Sequence, residues 1–187
     1  MQLEKVANHI KNWLIDYVKE SKLDGFVVGV SGGVDSALTA TLAASTGYKT
    51  ILLNMPIFQA DTQINRSDNQ IESLKERYSN VSSCTIDLTT LFESAQECFP
   101  SDVQDELTMA NTRARLRMTT LYAFASSNRL LVTGTGNKIE DFGVGFYTKY
   151  GDGGVDISPI ADLLKSEVFQ LAEYLNVNKE ILTAQPT

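Results

Sequence analysis

Apolar residues recur at helical spacing at the start of the chain. Val6, Ile10, Trp13, Leu14 and Val18 are separated by Lys5, Lys11, Asp16 and Lys19, which predicts an amphipathic helix over residues 3–21. The pattern then changes. Gly25-Phe26-Val27-Val28-Gly29-Val30 is polar on neither face, as expected of a strand buried in a parallel sheet. Residues 37–46 are rich in Ala and Leu and stop at Gly47, which predicts a short helix. A second strand is expected over residues 50–55, closed by Pro56, and a polar loop over 57–66. Ile71, Leu74 and Tyr78 mark the next helix, Val81 to Ile86 a third strand, and residues 88–98 another helix. A long helix is expected over 103–128, with Leu107, Ala110, Ala114, Leu121 and Ala125 near one face, and a fourth strand over 130–135. Residues 136–160 are rich in glycine and lack a period, so they read as a long loop. A clear helix covers Lys165 to Leu175, and residues 178–184 are a candidate for one more. Alternating strands and helices predict an α/β fold, an open, mostly parallel sheet with helices on both faces. Ligands of such sheets bind beyond the carboxyl ends of the strands, where Ser31, Asn54, Asp87 and Thr135 fall.

Composition narrows the class. The chain has 187 residues, of which 43% are hydrophobic and 21% charged. These are globular proportions, and one domain over residues 1–187 is expected. No apolar run approaches the roughly 20 residues of a membrane helix, and the charged start has no signal-peptide core. With 23 acids against 16 bases and a net charge of −7, neither nucleic acid nor a membrane is an expected partner. Cys84, Cys98 and His9 are too few for a zinc site or a disulfide framework, and reduced cysteines in a cytoplasm are the default. Packing thiols, a solvated His9 and a packing Trp13 are expected. An anionic ligand would therefore need local positive charge.

Ser31-Gly32-Gly33-Val34-Asp35-Ser36 joins the first strand to the helix after it. Its glycines let a phosphate approach the backbone, and the helix start offers free N–H groups and a positive dipole end. Asp35 would repel a phosphate unless a divalent cation lies between them, and Mg²⁺ suits one or two carboxylates plus phosphate oxygens. The plain alternative is an ordinary turn with Asp35 as a first-turn helix acid. The loop lacks the Gly-Lys-Ser/Thr of a Walker A motif and the G-x-G-x-x-G of a dinucleotide fold. It resembles the Ser-Gly-Gly-x-Asp-Ser loop of the PP-loop ATP pyrophosphatases, the adenine nucleotide alpha hydrolase-like enzymes with a Rossmann-like fold. These enzymes cleave ATP between the α and β phosphates.

The second half of the chain sharpens that resemblance. It contains Gly134-Thr-Gly-Asn-Lys-Ile-Glu140, Phe146-Tyr-Thr-Lys-Tyr-Gly-Asp-Gly-Gly-Val-Asp156, then Pro159, Ile160, Asp162, Leu163 and Lys165. With Asn111-Thr-Arg-Ala-Arg-Leu-Arg-Met118, this series resembles the ammonia-dependent NAD synthetases from about residue 20 to Thr187. The resemblance implies amidation of deamido-NAD by ammonia, with ATP activating the carboxylate as an acyl-adenylate and leaving as AMP and pyrophosphate. It implies ATP contacts at Gly29, Val30, Ser31, Gly32, Gly33, Val34, Asp35, Ser36, Gln59, Thr135, Lys165 and Thr187. Arg115, Lys149 and Asp156 match deamido-NAD contacts, and Asp35 and Glu140 match Mg²⁺ ligands. The Glu140-to-Lys149 interval is one residue longer than in the family, which leaves Asp141 as the alternative ligand. Asp35, Lys165 and Asp152 are the expected catalytic groups, Asp152 through holding or deprotonating ammonium. A homodimer with the substrate site at its interface is also implied.

Each of these residues has a plainer reading. Lys149 and Asp156 fit solvated charges, Arg113, Arg115 and Arg117 surface arginines, Glu140 a partner of Lys138, and Thr135 a strand-end hydroxyl. Two departures from the family stand out. Asn54 lies where some relatives carry an arginine, and the chain stops at Thr187, where relatives continue into a segment covering the site. About two dozen residues precede the first strand, too few for the amidohydrolase domain of glutamine-dependent relatives. Free ammonia or a separate glutaminase would then supply nitrogen. Another PP-loop enzyme acting on tRNA or a urea-type oxygen, or a non-catalytic adenine nucleotide-binding module, are the rival readings.

Overall fold

The computed structural model describes residues 1–184. In chain order the elements are α1 (Leu3–Ser21), β1 (Gly25–Gly29), α2 (Val34–Ser45), β2 (Lys49–Asn54), α3 (Asp61–Arg77), β3 (Val81–Thr85), α4 (Thr89–Cys98), α5 (Glu106–Asn128), β4 (Leu130–Thr133), α6 (Lys165–Tyr174) and α7 (Lys179–Leu182). The four strands form one sheet in the order β3-β2-β1-β4, and every pair is parallel.

Alternation of side chains along β1 divides the core. Phe26 and Val28 pack with α1, α2, α3, α6 and α7. Val27 points the other way, with Ile51, Leu53 and Val132, against α4 and α5. The sheet is thus covered on both faces. Gly25 is required where β1 begins, because its φ is +153° and a side chain would overlap the carbonyl of Lys49 in β2.

Several boundaries differ from those expected. α2 begins at Val34, after an extended Gly33 with φ −94° and ψ 159°, so Asp35 and Ser36 lie inside its first turn. α2 is buried nearly all round, and an all-round apolar segment carries no period to mark its start. Residues 61–66 are helical and not loop. The inward face of α3 includes Ser67 and Gln70 as well as Ile71 and Leu74, and polar residues on a buried face hide the helical period. α5 starts at Glu106, behind a short 3₁₀ turn at Ser101–Val103. Asp105 caps it by accepting the Thr108 N–H at 3.0 Å. Its buried residues are Met109, Met118, Leu121 and Ala125, whereas Leu107 is 67% exposed. The long loop contains a π-helical turn at Ile139–Val144. Farther on, Ile157 bridges Thr133 in parallel, and the Ile157 carbonyl accepts from Gly134 N at 2.8 Å.

Among the described residues, no helix is long and apolar enough to cross a membrane.

Candidate functional site

After β1 the chain winds outward through β2 and β3, then returns to place β4 on the other side of β1. That reversal opens a crevice at the carboxyl ends of β1 and β4. A cavity of about 630 Å³ occupies it. Gly29, Val30 and Ser31 line it at the end of β1 and just after it, Asn54, Met55 and Gln59 at the end of β2 and in the segment after it, and Thr133 to Thr135 at the end of β4 and just after it. α5 forms a wall through Leu107, Ala110, Ala114 and Arg117. This explains the exposed Leu107, which faces the cavity while Met109 on the same half of α5 packs in the core.

The glycine loop is held by its own serines. Ser31 N donates to Ser36 Oγ at 3.1 Å, and Ser36 Oγ donates to the Gly33 carbonyl at 3.0 Å. Gly32 has φ +78°, and a Cβ there would sit 2.9 Å from the Gln63 carbonyl. The loop therefore lies directly against α3. The first-turn N–H groups of α2 have no preceding helical carbonyls to bond and remain available to an anion.

Three separate segments meet at the loop. Lys165, the first residue of α6, pairs with Asp35, and its Nζ donates to Glu140 Oε1 at 2.9 Å. Glu140 therefore pairs with Lys165 and not with Lys138. Asn137 is fully buried and donates to Asp35 Oδ1 at 2.9 Å. Its own carbonyl oxygen accepts from Ile139 N at 3.0 Å and Glu140 N at 3.2 Å. Asn137 thus fixes both the Asp35 carboxylate and the turn that carries Glu140. Its position in the Gly-Thr-Gly-Asn run after β4 was the available sequence signal. Burial alone would lower the Lys165 pKa, but the hydrogen bonds and charges of Asp35 and Glu140 raise it overall. Two neighbouring carboxylates repel unless a cation lies between them, and Lys165 fills that role here.

Asp141 lies against Gly136, where a side chain could not fit. Burial, then the charges of Asp152, Glu140 and Asp35, raise its pKa. Asp152 lines the cavity and accepts the Thr148 N–H at 2.9 Å. Among the described residues, no group of three or more His, Cys, Asp or Glu could hold a metal ion. Asp35 and Glu140 are a pair of acceptors within reach of one ammonium, which fits a cation whose remaining ligands are phosphate oxygens.

The arginines separate. Arg117 is not a surface arginine. It lines the cavity, donating to the Met55 carbonyl at 3.0 Å and to Gln59 Oε1 at 3.3 Å, and burial, then the charge of Arg113, lower its pKa. Arg115 is exposed and donates to the Lys149 carbonyl at 3.1 Å, so those two residues meet. Asp156 lies elsewhere, along the flank of β4. It accepts from Val132 N and from the Tyr122 hydroxyl, each at 2.8 Å. Asn54 donates to Asp68 of α3 at 2.9 Å. Thr187 falls outside the described residues. Cys84 is half-buried but Cys98, the last residue of α4, is exposed. Trp13 is 39% exposed and rests on Tyr17 with ring centroids 5.5 Å apart. His9 is exposed.

A family model described as NAD synthase matches residues 6–187. The chain is 39% identical to the NH(3)-dependent NAD(+) synthetase of Mycoplasma genitalium, over 99% of this chain and 73% of that one. Among solved structures it resembles an NMN synthetase from Francisella tularensis, with TM-score 0.91 and 35% identity over 100% of this chain and 76% of that one. It also resembles the NH3-dependent NAD synthetase of Campylobacter jejuni, with TM-score 0.89 and 29% identity over 97% and 77%.

Proposed function

The chain belongs to the NAD synthase family and is a ligase that amidates deamido-NAD with ammonia at the expense of ATP, and we propose how its residues carry that reaction. The observation that carries the assignment is the meeting of Asp35, Glu140 and Lys165 at the glycine loop, from segments far apart in sequence.

In this reading residues 1–187 act as one synthetase domain. ATP lies across the crevice between β1 and β4. Gly29 to Ser36, Gln59, Thr135 and Thr187 bind it, with the phosphates on loop 31–36. A nicotinate carboxylate is a poor electrophile. Its oxygen attacks the α-phosphorus, the bond to the β-phosphate breaks, and pyrophosphate departs. Ammonia then attacks the acyl carbon and AMP leaves. Such transfers depend mainly on positioning and on neutralising charge. Asp35 and Glu140 would hold Mg²⁺, which supplies neutralisation of the phosphate charge when bound. Lys165 binds a phosphate oxygen once the two carboxylates take another cation. Asp152 attracts ammonium and accepts its proton, as a carboxylate in the cavity wall is placed to do.

Arg115 and Lys149, side by side at the surface, contact deamido-NAD. Asp156 is engaged within its own chain by Tyr122 and Val132. Its role toward the dinucleotide is assigned to a site shared across a homodimer interface. A cytoplasmic setting, consistent with two free cysteines, belongs to the same proposal.

The test supplies the chain with ATP, Mg²⁺, deamido-NAD and ammonium, and measures NAD by chromatography and pyrophosphate by phosphorus NMR. Equal amounts of both are expected. Asp35→Asn should remove turnover while leaving the circular dichroism unchanged. Binding of ATP without release of pyrophosphate would sink the assignment. Likeness to an NMN synthetase favours a second reading in which the acceptor is the mononucleotide. Parallel reactions with nicotinate mononucleotide decide it, and a higher kcat/KM for that substrate would replace deamido-NAD.

A further inference from the structure

Arg66, on α3, has no role in the assignments above. Gly32 places it. With φ +78°, Gly32 brings the phosphate loop so close to α3 that a Cβ would sit 3.1 Å from Ser67 Oγ and 3.5 Å from Arg66 Cβ. Arg66 therefore flanks the loop directly, on the side of α3.

Among the described residues, no side-chain hydrogen bond or ion pair engages its guanidinium. The Arg66 Nε–H is buried and has no hydrogen-bond partner among the described residues. No carboxylate among the described residues pairs with it, although the chain has 23 acids. Buried polar groups are normally satisfied, so an unsatisfied one beside an anion-binding loop calls for a ligand. Three other cations around the site are held by protein acceptors. Lys165 is held by Asp35 and Glu140, Arg117 by Met55 and Gln59, and Arg115 by the Lys149 carbonyl. Among the described residues, Arg66 is an arginine whose Cβ lies against the loop and whose buried Nε–H has no protein acceptor.

We propose that Arg66 binds the pyrophosphoryl group, the β- and γ-phosphates of ATP and then the pyrophosphate product. The proposal rests on the ATP reading of loop 31–36. When the carboxylate oxygen bonds to the α-phosphorus, the bond from that phosphorus to the bridging oxygen breaks. The electron pair stays on the departing pyrophosphate, so negative charge grows on the group beside the loop. A guanidinium is always charged and donates two parallel hydrogen bonds to phosphate oxygens. Placed there, it stabilises the leaving group more than the bound ATP, which is the difference that accelerates a step. Lys165 meets Asp35 at the start of α2, whereas Arg66 meets the loop at Gly32. In this proposal the leaving group has a cation on each side.

The experiment is calorimetric titration of the chain with magnesium pyrophosphate and, separately, with AMP, comparing wild type, Arg66→Gln and Arg66→Lys. Loss of a charge-assisted pair predicts pyrophosphate binding weaker by about tenfold or more in Arg66→Gln. AMP binding should change less than about twofold, since AMP lacks the β- and γ-phosphates. Arg66→Lys, which keeps the charge and loses the fork, should recover part of the loss. In turnover, Arg66→Gln should lower kcat, and pyrophosphate should inhibit that variant less. A folded Arg66→Gln, with unchanged thermal midpoint, that binds pyrophosphate as wild type does would overturn the proposal. So would equal weakening of AMP, which would make Arg66 a support for the whole site. A wild-type chain that binds neither ATP nor pyrophosphate would instead overturn the reading of the loop itself, and that outcome is distinct.

Discussion

Tyr122 and Asp156 form a pair whose chemistry belongs to neither residue alone. Burial, then the hydrogen bond and charge of Asp156, push the Tyr122 phenol up to about 12 from its usual value of 10.0. The folded state thus favours the protonated phenol. Its contribution to stability is complete below pH ~10 and is lost as pH rises through about 12. Ultraviolet titration of tyrosinate, taken as the difference between the chain and its Tyr122→Phe variant, should show this late ionisation. Asp156→Asn should bring it down, and an unchanged midpoint in that variant would separate the two groups. Legibility in the sequence varies in the same way from residue to residue. Asp35, Glu140 and Lys165 were legible because their motifs place them in order along the chain. Arg66 and Arg117 were not. Each is an arginine on a helix, and nothing local distinguishes one facing solvent from one facing a cavity or a glycine loop.

At the scale of elements, α5 depends on a single side chain for its start. Asp105 accepts from the backbone N–H of Thr108 at 3.0 Å and from its hydroxyl at 2.6 Å, satisfying a donor that has no helical partner. Those bonds hold the Asp105 carboxyl below its ordinary pKa. Asp105→Ala should destabilise the chain, because the first-turn N–H then loses its acceptor. Urea unfolding checks this: the midpoint should fall while the slope stays constant. A midpoint equal to wild type would mean that packing alone holds the first turn. The 3.6-residue period located α1 and α6 well, because each has one face to the core and one to water. It failed at the starts of α2 and α3, the first buried nearly all round and the second with polar residues on its inner face. The interval between strands and helices was still legible, since glycine and proline punctuate it.

For the whole molecule, the order β3-β2-β1-β4 creates the crevice, and the segment after β4 forms its outer edge. Phe142, Phe146, Tyr147 and Tyr150 in that segment are 77%, 78%, 53% and 71% exposed. Phe146 and Tyr147 also line the cavity. Chymotrypsin should therefore cut the chain first within residues 142–150, and ATP with deamido-NAD should slow that cleavage. Mass spectrometry of the early fragments reads the site, and cleavage elsewhere or unaffected by both ligands would count against this edge closing on substrate. The sequence by itself determined the alternation of strands and helices, the phosphate loop and the order of the charged motifs, because these depend on local spacing and backbone chemistry. Only the tertiary structure decided that Lys165 sits between Asp35 and Glu140, that Asp156 braces the flank of β4, and that the Arg66 Nε–H beside Gly32 has no partner among the described residues. Those are distances between residues remote in the chain. They are set by which side of β1 each strand takes and by which helix face the packed sheet leaves open.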